Sequence, residues 1–137
     1  MGIDAIFVGG EAWDREKFAV MPQFEGAYMM ATWSPDVQGE RSRAFVEEYV
    51  SRFDSRPEDG AALTCDALQI LFRAIKNVEK LDAESIRDEL YDLGPYHGVT
   101  GAIDFIHSGD PEKAGVILRF ENGRTMIIRP ILLTQEN

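Results

Sequence analysis

The chain is poor in the residues that carry most covalent and metal chemistry. Its 137 residues include one cysteine, Cys65, and two histidines, His97 and His107. A single cysteine excludes an intrachain disulfide, and without a CxxC partner it offers neither a redox pair nor half of a zinc site. It sits in the middle of an apolar helical run, where a buried, inert thiol is expected. Neither histidine belongs to an H-E-x-x-H or other metal-ligand spacing. Each lies beside a glycine-containing turn, so a solvated loop position is expected for both. The sequence therefore assigns no catalytic residue, no metal ligand and no cofactor.

Positive charge is also scarce, with 14 Lys and Arg against 24 Asp and Glu for a net charge of −10. That sign opposes phosphate backbones and anionic headgroups, and no basic stripe interrupts it, which argues against nucleic-acid or membrane-surface binding. Cationic or zwitterionic ligands fit better. No apolar run is long enough to span a bilayer. The segment from Met1 to Ile6 lacks the basic and long apolar regions of a secretory signal, and the Ser/Thr of a myristoylation signal is missing after Gly2. If Met1 is a true start, a cytoplasmic chain is expected. Gly9-Gly10 lacks the further glycine of a dinucleotide fingerprint, and no Gly-Lys-Ser/Thr is present. With no repeat and no Pro/Ser-rich linker, residues 1–137 read as one compact unit.

What is present reads as α/β. The run Ile3 to Val8 predicts a buried strand, and Asp14 a cap for a short helix that reaches Met21 and stops at Pro22. Gly26 to Trp33 predicts a second strand, completing a β-α-β opening. A helix follows from Gln38 to Phe53, with Phe45, Val46, Tyr49, Val50 and Phe53 on one face. Ala61 to Val78 predicts the most buried helix, with Leu68, Leu71, Ile75 and Val78 on one face and Ala67, Ile70 and Ala74 extending the stripe sideways. Asp82 predicts an N-cap, Leu81 and Ile86 a hydrophobic staple, and Gly94-Pro95 the stop. Thr100 to Ile106 predicts a strand. A C-terminal hairpin is expected from Val116 to Phe120 and Thr125 to Ile131, because Asn122-Gly123 favours a type I′ turn with Glu121 facing Arg124.

The strand-to-helix turn Gly9-Gly10-Glu11-Ala12-Trp13-Asp14 is the organising stretch, since α/β folds place ligands at the carboxyl ends of strands. Glu11 there has three open readings: a receiver for a ligand ammonium, an acid or base, or a solvated surface carboxylate. Trp13, Trp33, Tyr28 and Tyr96 read either as an aromatic pocket wall or as core edge. Glu47-Glu48 and Glu58-Asp59 read as a solvated helix face and as helix N-terminal charge.

Taken in order, six features resemble the branched-chain amino-acid-binding proteins, the type I solute-binding components of ABC importers. They are the Gly9 to Asp14 turn, Glu25-Gly26-Ala27-Tyr28, Ser34-Pro35-Asp36, Ala61-Ala62-Leu63 with Asp66-Ala67-Leu68-Gln69, Gly98-Val99-Thr100-Gly101, and Gly109-Asp110-Pro111. The resemblance covers nearly all of this chain and the last two-fifths or so of such a two-lobed protein. It implies a partial type I periplasmic-binding-protein fold and a periplasmic or extracellular setting. It also implies an amino acid as ligand and the importer's membrane subunits as partners. Glu11 matches the acidic residue that meets the ligand's α-ammonium, with Gly10 beside it and Trp13 as a cleft wall, and Asp36 follows the hinge crossing. The chain departs from the family pattern at Gly60 and Cys65, where aromatic residues are common, and at Phe105-Ile106 in place of Phe-Asp. The lobe that would hold the ligand carboxylate has no counterpart. A ligand-binding module with an incomplete cleft is expected, with a self-associating fragment, a homodimer, as the alternative; an enzyme is not.

Overall fold

The computed structural model describes residues 5–13, 15–105 and 109–131. The chain is mixed α/β and opens β-α-β: β1 (Val8–Gly9), α1 (Arg15–Ala19), a 3-10 turn (Pro22–Phe24) and β2 (Tyr28–Ala31). Three helices follow, α2 (Glu40–Phe53), α3 (Asp59–Asn77) and α4 (Ala83–Asp92). The chain then runs through β3 (Tyr96–Gly98), β4 (Gly101–Asp104), β5 (Glu112–Lys113), β6 (Gly115–Glu121) and β7 (Arg124–Ile131). One sheet has the order β1-β2-β6-β7, with β1 and β2 parallel and the rest antiparallel. The other, β3-β4-β5, is antiparallel throughout.

The period-2 pattern of β2 and β6 builds the first core. Met29 and Ala31 point inward from β2, and Val116, Leu118 and Phe120 from β6, with Ala27 beside them. Trp13, Phe18 and Phe24 close this core from the side of α1 and the 3-10 turn. The C-terminal hairpin forms as expected. Glu121 stands opposite Arg124, and Asn122 and Gly123 take φ of 53° and 77°, the left-handed values that a type I′ turn requires.

The expected buried strand from Ile3 to Val8 is corrected. Ile3 and Asp4 lie outside the described residues, Ile6 and Val8 are 73% and 69% exposed, and the ladder is two residues long. One further bond, from the Tyr28 N–H to the Phe7 carbonyl at 2.9 Å, continues the pairing. At the edge of the sheet little of the chain packs over the faces of β1, so its apolar side chains stay exposed. Sequence pattern reports apolarity, whereas burial requires a neighbour.

The second core lies under α3, which carries more buried residues than the other helices, and the buried face is the side of the expected stripe that holds Ile70 and Ala74 rather than its Leu68, Leu71, Ile75 and Val78 face. Ala62, Asp66, Ile70 and Ala74 are buried, whereas Leu68 is exposed and Leu71, Ile75 and Val78 are half-buried. The buried positions recur every fourth residue: Ala62 meets Trp33 and Val99, and Ile70 packs with Tyr96 and Ile103 of the second sheet. Trp33 is buried with its indole N–H donated to the Ser42 hydroxyl at 3.0 Å. On α2, Phe45, Val46 and Tyr49 are half-buried, while Val50 and Phe53 are exposed.

The Asp82 cap forms, accepting the Ser85 N–H at 2.8 Å, and Gly94 ends the segment at φ 65°. The staple does not form, because Leu81 is left exposed. Of the strand expected from Thr100 to Ile106, Gly101 to Asp104 is strand and Ile106 lies outside the described residues. Cys65 is half-buried rather than buried. His97 is exposed on β3 rather than in a loop, and His107 and Asp14 lie outside the described residues.

Candidate functional site

Two glycines shape the turn after β1 in different ways. A side chain at Gly9 would collide with the Trp13 indole, so the absence of a Cβ is what lets Trp13 fold back over the strand. Gly10 has open space around it, and its carbonyl accepts the Trp13 N–H at 3.2 Å. Trp13 is half-buried and meets Phe18 and Phe24 edge-on, with ring centroids 5.5 and 5.2 Å away. One part of the indole thus belongs to the first core. Glu11 projects from the same turn, exposed, and has no ion-pair partner among the described residues.

Because β1 and β2 are parallel, their carboxyl ends emerge on the same edge of the sheet. The Glu11 turn leaves one, and Thr32-Trp33 leaves the other on the way to α2. Open α/β sheets bind ligands in this position, outside the strand ends. The Thr32 hydroxyl oxygen there is buried without a hydrogen-bond partner among the described residues.

Arg15, at the start of α1, joins this edge to the second core. Its guanidinium donates to the Trp33 carbonyl at 2.8 Å and pairs with the Asp59 carboxylate, also at 2.8 Å. Asp59 is the first residue of α3, so it is a paired acid as well as a helix N-terminal charge. Nearby, Arg56 pairs with the exposed Asp36 at 2.7 Å. Arg15, Asp36, Arg56 and Arg124 line a cavity of about 650 Å³ between the hairpin, α1 and the segment before α3. Gly10, Glu11 and Trp13 do not line it.

The remaining candidates are structural in their surroundings. Tyr96 is buried with its hydroxyl donated to Gln69 at 3.0 Å, and burial, with Asp66 nearby, raises its pKa. Tyr28 is half-buried, with the Arg119 guanidinium 5.8 Å above its ring. Glu47 and Glu48 lie on an exposed helix face, Glu48 paired with Arg52. Asp66, quoted above only as part of a turn pattern, is fully buried. It accepts the Val99 N–H at 2.7 Å and the Thr100 N–H and hydroxyl at 2.8 and 2.7 Å. The signal that points to it is an acid in the middle of an apolar helix, which stays buried only where donors meet it.

A family model described as periplasmic binding protein matches residues 1–124. The Leu/Ile/Val-binding protein homolog 1 of Brucella abortus (strain 2308) is 25% identical over 123 residues, which is 89% of this chain and 33% of the relative. The chain therefore spans about a third of the length of the curated relatives it matches. Among solved structures, an ABC transporter substrate-binding protein from Desulfitobacterium hafniense in complex with Leu is 26% identical with a TM-score of 0.81. The match covers 93% of this chain and 36% of that one. The leucine binding protein LivK of Thermotoga maritima, 23% identical, shares the fold at a TM-score of 0.85 over 94% of this chain and 38% of its own.

Proposed function

Because the chain belongs to the periplasmic binding protein family, we propose that it is a ligand-binding module of an ABC-importer solute-binding protein for branched-chain or related amino acids. Residues 1–137 act as a single unit resembling the C-terminal part of such a protein, and they supply part of the cleft rather than all of it. The observation that carries this reading is the exposed Glu11 carboxylate, without an ion-pair partner among the described residues, at the carboxyl end of β1 and beside the end of the parallel strand β2. Glu11 receives the ligand's α-ammonium. Gly10 leaves room for close approach, and the half of Trp13 not committed to the core forms a wall. The setting is the periplasm, and the further partners are the importer's membrane subunits.

The test is complementation. With a polypeptide supplying the rest of the cleft, leucine titration calorimetry should show binding that Glu11→Gln weakens roughly ten- to a hundredfold. This is the loss of a charge-assisted hydrogen bond contributing about 1.5 to 3 kcal/mol in a water-poor cleft. Unchanged affinity in the variant would return Glu11 to a solvated surface role.

A second reading, self-association, is favoured by the sheet edges. Ile6, Phe7 and Val8 are exposed at β1, and Met126, Ile128 and Ile131 at β7, the strand on the opposite edge. Open edges of this kind recruit other strands, and a homodimer satisfies them at low cost. A single sharp monomer boundary in sedimentation at high micromolar concentration would remove this reading.

A further inference from the structure

The first core, around Met29, Leu118 and Phe120, and the cores beneath α3, around Ala62, Ile70 and Ile103, are distinct clusters of buried residues, bridged by the half-buried Val37, which packs against both the first cluster and that of Trp33 and Ala62. Among the described residues the chain passes between the two sheets at residues 32–39, before α2, and at Ala114, between β5 and β6. Two bodies joined by short crossings rotate easily unless something else ties them.

We propose that Arg15 is a positioning residue that holds the Glu11 turn at a fixed distance from the first turn of α3. It lies four residues beyond Glu11, and one guanidinium nitrogen reaches both the Trp33 carbonyl, where the crossing begins, and Asp59, where α3 begins. The Arg15 and Asp59 side chains are 11% and 18% exposed, so water and salt screen them far less than a surface pair. Asp59 is favoured in place by the positive end of the α3 dipole. The two N–H donors of that one nitrogen are fixed in the guanidinium plane, a geometry that a lysine ammonium on a flexible stem does not hold. The neighbouring Arg56–Asp36 pair is 57% and 50% exposed and is a spectator, since exposed pairs contribute little. Opening the two bodies about the 32–39 crossing separates Arg15 from Asp59 but leaves its bond to Trp33, so the ion pair resists that motion.

The inference rests on the proposed function only in that Glu11 is what the pair positions, and its test uses no ligand. Nitroxide labels on Gln23→Cys and Glu47→Cys, in a Cys65→Ser background, report the separation of the two bodies by pulsed dipolar spectroscopy. The expected result is a narrow distance distribution in the parent chain, a broader one shifted to longer distance in Arg15→Met and Asp59→Asn, and no change in Asp36→Asn. Should Arg15→Met fail to fold, the nearly isosteric Asp59→Asn carries the comparison. Distributions in the pair variants that match the parent, or equal broadening in Asp36→Asn, would overturn the proposal. A failed leucine titration with the expected distances would count against the amino-acid reading alone.

Discussion

Asp66 and Thr100 meet twice in the interior: one carboxylate oxygen accepts both the Thr100 N–H, at 2.8 Å, and its hydroxyl, at 2.7 Å. The other oxygen takes the Val99 N–H, so a single buried acid stitches α3 to the turn between β3 and β4. Asp66→Asn replaces one acceptor by a donor and leaves at least one buried N–H facing an N–H. The expected cost is about 1 to 3 kcal/mol for each donor stranded, read as a lower urea midpoint. An unchanged midpoint would contradict the stitch. Gly98→Ala should be at least as damaging, because its methyl group would collide with the same carboxylate.

On α3 the buried face sets the ranking of truncations. Ile70, at 4% exposure, should lose roughly 2 to 5 kcal/mol on change to Ala. Leu68→Ala and Phe72→Ala, at exposed positions, should each cost markedly less. Chemical denaturation of the three variants decides it, and equal costs would place the helix differently.

The α4 cap predicts a pH dependence. A hydrogen bond from Lys80, then those from Ser85, hold the Asp82 pKa below its ordinary value. A lowered folded-state pKa contributes stability that is present above the unfolded value and is lost as pH falls through the folded one. Asp82→Ala should therefore melt below the parent at neutral pH. That gap should persist to about pH 5 and close below about pH 3.9, the ordinary carboxylate value. A gap independent of pH would mean that the charge plays no part in the cap.

Gly9→Ala should displace Trp13, because the added methyl group meets the indole itself. Overpacking of this kind costs about 1 to 3 kcal/mol. The tryptophan emission should shift to the red as the ring leaves Phe18 and Phe24. An unmoved spectrum would show that the turn has room the structure does not display.

Local chemistry made some elements legible in the sequence and not others. Asn122-Gly123 and Asp82 announce the hairpin and the α4 cap because turn and cap signals act within four residues. The buried face of α3 was legible in part: Ile70 and Ala74 belong to the apolar stripe, whereas Asp66 is explained by Val99 and Thr100, which lie far along the chain. The Ile6 to Val8 run looked buried because apolarity is local, whereas cover is supplied from elsewhere. For the site, the strand-end position of Glu11 was legible from the β-to-α change of period, but its assignment to an ammonium came from the resemblance. Arg15–Asp59 joins two helix starts that no spacing rule connects.

The most direct measurement of the central claim is an ¹⁵N chemical-shift titration of the isolated chain and of its Glu11→Gln variant with leucine. In the isolated chain Glu11 is solvated and the ligand's side chain stays wet on one side, so binding no tighter than millimolar is expected. Shifts should gather at Gly10, Glu11 and Trp13 as leucine rises through the millimolar range, and they should be absent in the variant. Saturation at micromolar leucine, or the same shifts in Glu11→Gln, would contradict the account.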